Sequence, residues 1–556
     1  MKFLKSSFFI PFAIALVAAI LFLPYLGSVH LFDWDENIFA ESAREMLITG
    51  NYFKIQSNFF PFEEKPPLFF WLQALSMQAF GVNEYAARFP NAITGIITLV
   101  LVYLLGRKYF SHQFGLYWTI AYLGSFLPHF YFRTAIIDPT FNLFIFSGIF
   151  SLAILVSTNS SDRILRIKLA ILAGLLIGLA ILTKGPVALL IVLLTGIGFM
   201  IFRKSLNIIT FWEVFSFLIM LLITSSAWFA VEVYLNGPWF IKEFITYQWE
   251  LLKVPHSGHR GPVYFHFVVL LLGCFPVSFF VIKGLRAFEN DNFQQRNIKA
   301  AMMIMMLVVL LLFSIVKTKL VHYSSLCYFS ISFFAAYVLV KHESRRIIFG
   351  SLFKVLLSII GFAFGFVFLL ANFILIHKTK LLNSYSHLIK DQFALGCLSA
   401  PVEASIWGYL PGLVFIAGLL YFLYKFRYNL VLGALVFFGT TIISVQILTY
   451  YLVPKIEYMI QGEAINFYKE KGKEDAYLNS YGFKSYATLF YGKKRQGNSF
   501  ESTSEKWLLG GEIDKPVYLV SHAIDKRLKV LDTVPDLKML YTKNGYAFFK
   551  REPDAK

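Results

Sequence analysis

Runs of roughly 18–22 consecutive apolar residues recur along this chain, each long enough to cross about 30 Å of hydrocarbon. A segment in lipid finds no water to satisfy its peptide groups, so each run must close its own hydrogen bonds as a helix. About thirteen such spans are expected, centred near residues 17, 97, 121, 147, 175, 194, 222, 272, 308, 330, 363, 414 and 440. The composition agrees: 57% of residues are hydrophobic and 15% charged, against about 45–50% and about 25% in soluble domains. The first run, in MKFLKSSFFIPFAIALVAAILFLPYLG, is longer than the apolar core of most signal peptides. No small-x-small cleavage site follows it, so it is read as an uncleaved first span.

Between spans the connections alternate. Short basic ones carry Lys2/Lys5, Arg107-Lys108, Arg163/Arg166/Lys168, Arg203-Lys204, Lys283/Arg286, Lys341/Arg345-Arg346 and Lys425/Arg427. Longer ones hold most of the acids. Lys and Arg are retained on the cytoplasmic side, which places the N-terminus inside. With an odd number of spans, the C-terminus lies outside. Residues 28–86, 234–262, 378–402 and the tail then all face outward. The net charge of +18 is spread over these clusters rather than gathered into one basic and aromatic patch, which argues against nucleic acid as a partner. Cys274, Cys327 and Cys397 are far apart and form no CxxC pair, so neither a zinc ribbon nor a disulfide framework is indicated.

After residue 453 the sequence becomes polar, with short alternating pieces. KIEYMIQGEAINFYKEKGKE reads as a helix, DAYLNS and KPVYLVS as strands, and LYTKNGYAFFKRE as a hairpin turning on Asn544-Gly545. The expected architecture is an all-α polytopic membrane unit over residues 1–453 with a small periplasmic α/β domain over 454–556. The 28–86 loop of the membrane unit carries two surface helices.

The carboxylates are not evenly spread. FDWDENIFAESAREM gathers Asp33, Asp35, Glu36, Glu41 and Glu45 directly after the first span. An amphipathic helix is expected here, with Asp33 as N-cap and Glu36 completing a capping box. Ile38, Phe39, Ser42, Met46 and Leu47 would share one face, and Glu41, Arg44 and Glu45 a solvated one. The plain structural reading makes these acids caps and surface charges. Asp35 stands apart: in the first turn the helix dipole favours its ionised form, and a fixed carboxylate at the membrane mouth can orient or deprotonate an acceptor.

FFPFEEKPPLFFWLQALSMQAFG closes the same loop. Pro66-Pro67 suits a helix start, and Trp71, Leu72 and Leu75 give the helix an apolar face. Lys65, next to Glu63 and Glu64, is placed at that helix start to meet an anionic phosphate. The alternative is a lysine that snorkels and pairs with the glutamates. Further polar points recur at outward span ends: Arg88, Arg133, Asp138, Lys184, the segment His256–Pro262, and KTKLVHY at Lys317–Tyr323. Singly each is a span-end anchor; together they set cations and histidines opposite the acids of the first loop. Transporters concentrate ionisable groups near the midplane. Here they gather at the outer interface, which favours an enzyme over a transporter or flippase of lipid-linked sugars.

These residues resemble a family, the polytopic lipid-phosphosugar-dependent glycosyltransferases of GT-C type, in particular its lipid A aminoarabinose transferase and bacterial dolichyl-phosphate-mannose-protein mannosyltransferase-like branches. The family motif D-E-x-x-Y-A…R-E-M stands here as DENIFAESAREM, with Phe39 in place of Tyr. F-E-K-P-P stands as EEKPP, Glu63–Pro67. AARFP, IDPTFNLF, TKGP, HRGP and KLVHY follow in the family's order, so the resemblance spans roughly residues 1–450. It implies thirteen spans, a periplasmic C-terminal domain, and transfer with inversion from a sugar on undecaprenyl or another polyprenyl phosphate. The acceptor would be lipid A, another glycolipid or a protein (as in protein O-mannosylation) at the outer face of the bacterial inner membrane.

The resemblance makes Asp35, Glu36 and Lys65 the catalytic candidates. Lys65 would bind the donor phosphate with help from Arg88, Arg260, Lys317 and Lys319. No cofactor is required, but the aminoarabinose branch implies a divalent metal, zinc, on Glu64, His259 and His322, with His256 able to replace His259. Ile38 stands where aminoarabinose enzymes often carry arginine, which leaves the sugar open.

Overall fold

The computed structural model describes residues 8–203, 209–253, 260–285, 291–344, 347–494 and 500–553. A bundle of helices fills most of it. Eight of them are long and apolar enough to cross a membrane, and nine if the pair Phe265–Gly273 and Val277–Gly284, bent by 108°, counts as one span. The chain is therefore a multi-pass membrane protein. The four remaining expected centres, near 17, 121, 194 and 330, fall on the shorter helices Phe9–Phe22, His112–Leu123, Val187–Arg203 and Cys327–Glu343.

Exposure follows position in the bundle. Cys327–Glu343 is buried along nearly its whole length. In Phe211–Asn236 and Ser351–Ile376 half of the residues are exposed and few are buried, the exposed ones including Leu222, Ile223, Ile359 and Phe366. Helices apolar on every face suit lipid on one side and protein on the other. Close crossings are set by small residues. A Cβ at Gly106 would stand 2.7 Å from the Gly115 Cα, and one at Gly174 2.4 Å from the Phe217 carbonyl oxygen, so larger residues there would push the helices apart.

One end of the bundle is closed by compact ion pairs. Arg166 donates to both carboxylate oxygens of Glu213, at 2.6 and 3.0 Å, and also to the carbonyls of Leu155 and Thr158. At the other end lie the first loop, the 378–402 segment and the tail, packed on one another. The first loop supplies the helix Asp35–Thr49, a two-residue hairpin of β1 (Gln56–Ser57) and β2 (Phe60–Pro61), and the helix Leu68–Phe80.

The tail forms a mixed four-stranded sheet of β3 (Tyr477–Tyr481), β4 (Val517–His522), β5 (Leu537–Lys543) and β6 (Tyr546–Arg551). Its order is β3-β4-β6-β5, with β3 parallel to β4 and the other pairs antiparallel. Asn544 and Gly545 both have positive φ, 50° and 84°, as a type I′ turn requires. No linker separates sheet from bundle: a single helical stretch runs from Leu430 to Lys471, passing through a π turn at Tyr458–Gly462. The change in composition at residue 454 falls inside this helix, not at a break.

The first-loop helix departs from the expected surface helix. Every residue from Glu36 to Met46 is buried. Glu41, Arg44 and Glu45 do not face water. Arg44 donates to both oxygens of Glu41 at 2.7 Å and to the Lys494 carbonyl at 3.0 Å, and Glu45 accepts from the Phe59 amide at 2.8 Å. The hairpin and the tail cover what the periodicity reads as a solvated face.

Asp33 is likewise not the helix cap. Trp34 holds that position without a side-chain cap. Asp33 instead accepts from the Ser485 hydroxyl, from the Tyr486 amide at 3.0 Å and from Asn37 at 3.2 Å. It fastens the tail to the first loop, joined by Tyr491, whose hydroxyl accepts from the Leu31 amide, and by the pair His30–Glu457 at 2.9 Å. In the helix Leu68–Phe80, Phe69, Phe70, Ala74 and Met77 fill the interior, while Leu75 is exposed.

Candidate active site

A cavity of about 850 Å³ opens where the first loop, the tail and the outer ends of the helices meet. Its walls are of two kinds. Leu190, Ile191, Leu312 and Phe313, from the bundle, make an apolar side. Asp35, Glu64, Lys65, Asp138, Lys184, His322 and Lys484 make a charged one. A long apolar chain and a charged head can occupy these two sides together.

Each charged residue is held by a local device. Asp35 is the first residue of its helix, and its side chain is 38% exposed. Asp138 begins the helix Asp138–Leu155, with Pro139 in its first turn. Lys184 ends the helix Arg163–Lys184, where Gly185 takes a φ of +90° and turns the chain back. The Lys184 ammonium donates to Asp138 at 2.5 Å and lies 5.0 Å from the Tyr323 ring centre. His322 Nε2 stands between two carboxylates, 3.7 Å from Asp35 Oδ2 and 3.9 Å from Asp138 Oδ2. Asp138, His322 and Asp35 therefore form a continuous row of ionisable groups along the cavity wall.

Lys65 lies on the same cavity. Its ammonium is 3.3 Å from the Glu64 carbonyl oxygen and 3.9 Å from Glu64 Oε2. Burial lowers its pKa below the usual lysine value and the neighbouring Lys184 adds to this, while Glu64, Asp35 and Asp138 oppose it. An arriving phosphate would favour the cationic form, so this lysine has more to gain from an anion than one in water.

Other expected site residues go elsewhere. Arg88 is not a phosphate helper. It donates to both oxygens of Glu36, at 3.0 and 2.8 Å, and to the carbonyls of Leu26, Val29 and His30. Glu36 touches the cavity, but it also accepts from the amides of Phe32 and Ala135 at 2.8 and 2.6 Å. This pair, each partner 4% exposed, is a structural rivet, and its carboxylate has no spare lone pair for catalysis.

Lys319 donates to three carbonyls, of Phe313, Ser314 and Val316, at 2.6–2.8 Å. It caps the end of the helix Phe293–Ile315 instead of facing the cavity. Arg260 pairs through its backbone with Thr318 and is exposed, as is Lys317; neither lines the cavity. Of the expected metal ligands, Glu64 and His322 both line it. His259 and its alternative His256 lie outside the described residues. Among the described residues no group of three His, Cys, Asp or Glu side chains is placed to hold a metal.

Two cations were not assigned a role from sequence. Lys184 stood out only as a span-end residue of TKGP. Lys484 gave no signal at all, being one of many lysines in the polar tail. Its ammonium lies 5.2 Å from the Trp34 ring and 4.9 Å from the Tyr486 ring, at the cavity mouth.

Residues 64–229 match the family model described as dolichyl-phosphate-mannose-protein mannosyltransferase. An undecaprenyl phosphate-alpha-4-amino-4-deoxy-L-arabinose arabinosyl transferase of Shewanella sediminis is 25% identical over 323 residues, 58% of this chain and 58% of that protein. An uncharacterized protein of Aquifex aeolicus is 27% identical over 338 residues, 59% of this chain and 73% of its own. The match thus spans less than two thirds of the transferase's length. In fold the likeness extends over the whole chain. The crystal structure of ArnT from Cupriavidus metallidurans bound to undecaprenyl phosphate superimposes with a TM-score of 0.74, over 99% of this chain and 100% of that one, at 16% identity. The family resemblance therefore holds, and the fold is that of ArnT.

Proposed function

We propose that this protein is an inverting glycosyltransferase of the outer membrane-water interface, moving a sugar from a polyprenyl phosphate (undecaprenyl phosphate in bacteria) to a glycolipid of the cell envelope. The observation that carries the reading is the two-sided cavity: an apolar wall from the bundle meets the row Asp138–His322–Asp35 with Lys65 and Lys184 beside it. A polyprenyl chain suits the first side and its phosphate the second. The named relatives' donor has this chemistry, and it is carried to the present chain as a proposal.

In this reading Lys65 and Lys184 hold the departing phosphate as charge develops on it. Such fixed charges act most strongly in a site shielded from water. Asp35 takes the acceptor proton or orients the acceptor oxygen, with His322 fixing the carboxylate from 3.7 Å. Lys184 also pairs with Asp138 and Lys65 lies against Glu64, so an arriving phosphate would compete with these carboxylates for both cations.

The topology is proposed with it. The chain crosses the inner membrane thirteen times, with the N-terminus in the cytoplasm, residues 1–453 as the membrane unit and 454–556 in the periplasm. The packing of the first loop, the 378–402 segment and the tail at one end of the bundle supports this. Phe393 of that segment stacks on His522 at 3.8 Å, and Gln392 donates to Asp525 at 2.7 Å.

The test is reconstitution of the full chain in vesicles with an undecaprenyl-phosphate sugar and an envelope glycolipid fraction. Mass spectrometry should detect free undecaprenyl phosphate together with one added sugar on the glycolipid. Release of neither product would remove the reading. An alkaline phosphatase fused at Lys556 should be active, and its silence would reverse the orientation.

A further inference from the structure

Behind the cavity wall that carries Asp35, His322 and Asp138 lies a buried polar knot. The short 3-10 turn Val321–Ser324 brings His322 to the cavity and Tyr323 against the Lys184 ammonium. Two serines, Ser324 and Ser325, stand on its inner side, 0% and 1% exposed. Around Ser325 are Tyr131, which ends the helix Phe126–Tyr131, and Asn142, one turn along the helix that Asp138 begins. Both are buried as well.

The hydrogens of this knot can be assigned one by one. Asn142 donates its two amide hydrogens to the hydroxyl oxygens of Tyr131 and Ser325, each at 2.7 Å. Ser325 donates its own hydrogen to the His322 carbonyl. The Tyr131 hydroxyl, 2.7 Å from the Ser325 oxygen, is therefore the donor of that contact. A hydroxyl has one hydrogen and two lone pairs, so these bonds saturate Ser325. The three side chains hold four hydrogens: three are used among themselves, and the fourth goes to the backbone of His322. On the other flank of the turn, Ser324 Oγ lies 3.1 Å from Nδ1 of the buried His266.

Polar side chains between membrane helices often act as glue. Glue joins helix to helix. This chain of donors ends instead on the residue whose imidazole faces Asp35 at 3.7 Å and Asp138 at 3.9 Å. Buried polar groups are costly unless every one is paired, and a fully paired network fixes its members in a single arrangement.

We infer that Asn142, Tyr131 and Ser325 are positioning residues for transfer, holding the His322 backbone so that its imidazole stands between the two aspartates. The inference rests on the transferase reading and adds to it residues that act through His322. Tyr131 and Ser325 do not line the cavity. Asn142 does, with both amide hydrogens already used in the knot.

The test is a double-mutant cycle on turnover by the full chain in vesicles, with an undecaprenyl-phosphate sugar and an envelope glycolipid fraction. Ser325→Ala removes the bond to the His322 carbonyl. Tyr131→Phe keeps the ring and removes one donor to Ser325, so it reports even if Ser325→Ala does not fold. Each should lower kcat about 2- to 12-fold, the range of one hydrogen bond. Donor KM should stay within twofold of the parent, because Lys65 and Lys184 are untouched. His322→Ala should lower kcat by more than either. In the His322→Ala background, adding Ser325→Ala or Tyr131→Phe should change kcat by less than twofold, since residues that act through one group are not additive.

Unchanged kcat in Tyr131→Phe and in a folded Ser325→Ala would overturn the inference. So would a loss confined to donor KM, a His322→Ala enzyme as active as the parent, or losses that multiply with His322→Ala, which is the behaviour of glue. A parent chain without turnover would instead strike the transferase reading itself.

Discussion

Asp35 and Glu36 are neighbours in sequence, of one charge, in the first turn of one helix, yet they do opposite things. Glu36 is enclosed by two nitrogens of Arg88 and two backbone amides. Asp35 is partly open, and among the described residues His322 alone lies within 4 Å of it as an ionic partner, at 3.7 Å, too long for a hydrogen bond. A saturated carboxylate holds structure together and an unsaturated one is available for a substrate. The difference does not lie in residue type or helix position. It lies in which side of the helix Arg88, Phe32 and Ala135 cover.

The comparison can be broken most sharply at Asp35. Asp35→Asn keeps size and helix geometry but cannot accept a proton, so transfer should fall by about 10²–10⁴-fold while donor binding survives. Full activity would make Asp35 as structural as its neighbour. A smaller, pH-insensitive loss would mark an acceptor that is already an anionic phosphate. Glu36→Ala is the mirror experiment. It strands a buried guanidinium, at a cost of about 3–5 kcal/mol. The yield of folded protein and its melting temperature should drop, and whatever protein folds should retain turnover. A stable but dead Glu36→Ala enzyme would return Glu36 to the chemistry.

Lys65→Ala should reduce transfer by roughly 10- to 150-fold through loss of a charge-assisted contact worth about 1.5–3 kcal/mol, with folding spared. Because burial holds the Lys65 ammonium below the usual lysine range, donor affinity should weaken as pH rises through that lowered value. Lys65→Arg should remove this alkaline decline. An alkaline limb unchanged in Lys65→Arg would assign it to another group.

A stability effect that depends on pH is expected at Glu45. Burial, with the nearby Glu41 charge, pushes its carboxyl up to about 9. A group raised on folding binds a proton in the folded state that the unfolded chain has released. Its contribution is therefore full below about pH 4.5 and lost progressively up to about pH 9. Glu45→Gln should accordingly raise the melting temperature more at pH 8 than at pH 5. Equal shifts at both pH values would show a charged Glu45.

The local pattern in the sequence was a good guide wherever the determinant was local. Each expected span centre falls on a helix, Asn544-Gly545 makes its hairpin turn, and Pro66-Pro67 precede a helix. Lys65 and Asp35 reach the cavity because each sits at a helix start close to the membrane mouth. The guide failed where a partner came from far along the chain. Periodicity placed Glu41, Arg44 and Glu45 in water because what covers them is the β1–β2 hairpin and, some 450 positions away, the tail. Lys319 misled for another reason, its carbonyl partners being three to six positions away but backbone atoms without a sequence signature. Arg88 read as a free span-end cation because its acceptors lie 52 to 62 positions away. Lys484 was invisible for the same reason: its importance comes from where the sheet is seated.

That seating depends on the 42-residue helical stretch Leu430–Lys471. A helix advances about 1.5 Å and turns about 100° per residue, so it behaves as a threaded shaft, and the azimuth of the sheet is set by a residue count. One residue inserted between bundle and sheet would swing Lys484 and Tyr486 through more than a quarter turn, away from the mouth they share with Trp34. The π turn at Tyr458–Gly462 is itself a local one-residue adjustment of that kind. Indels in this stretch are thereby changes of phase, and removing the π residue should turn the tail's Lys484 and Tyr486 away from the first loop.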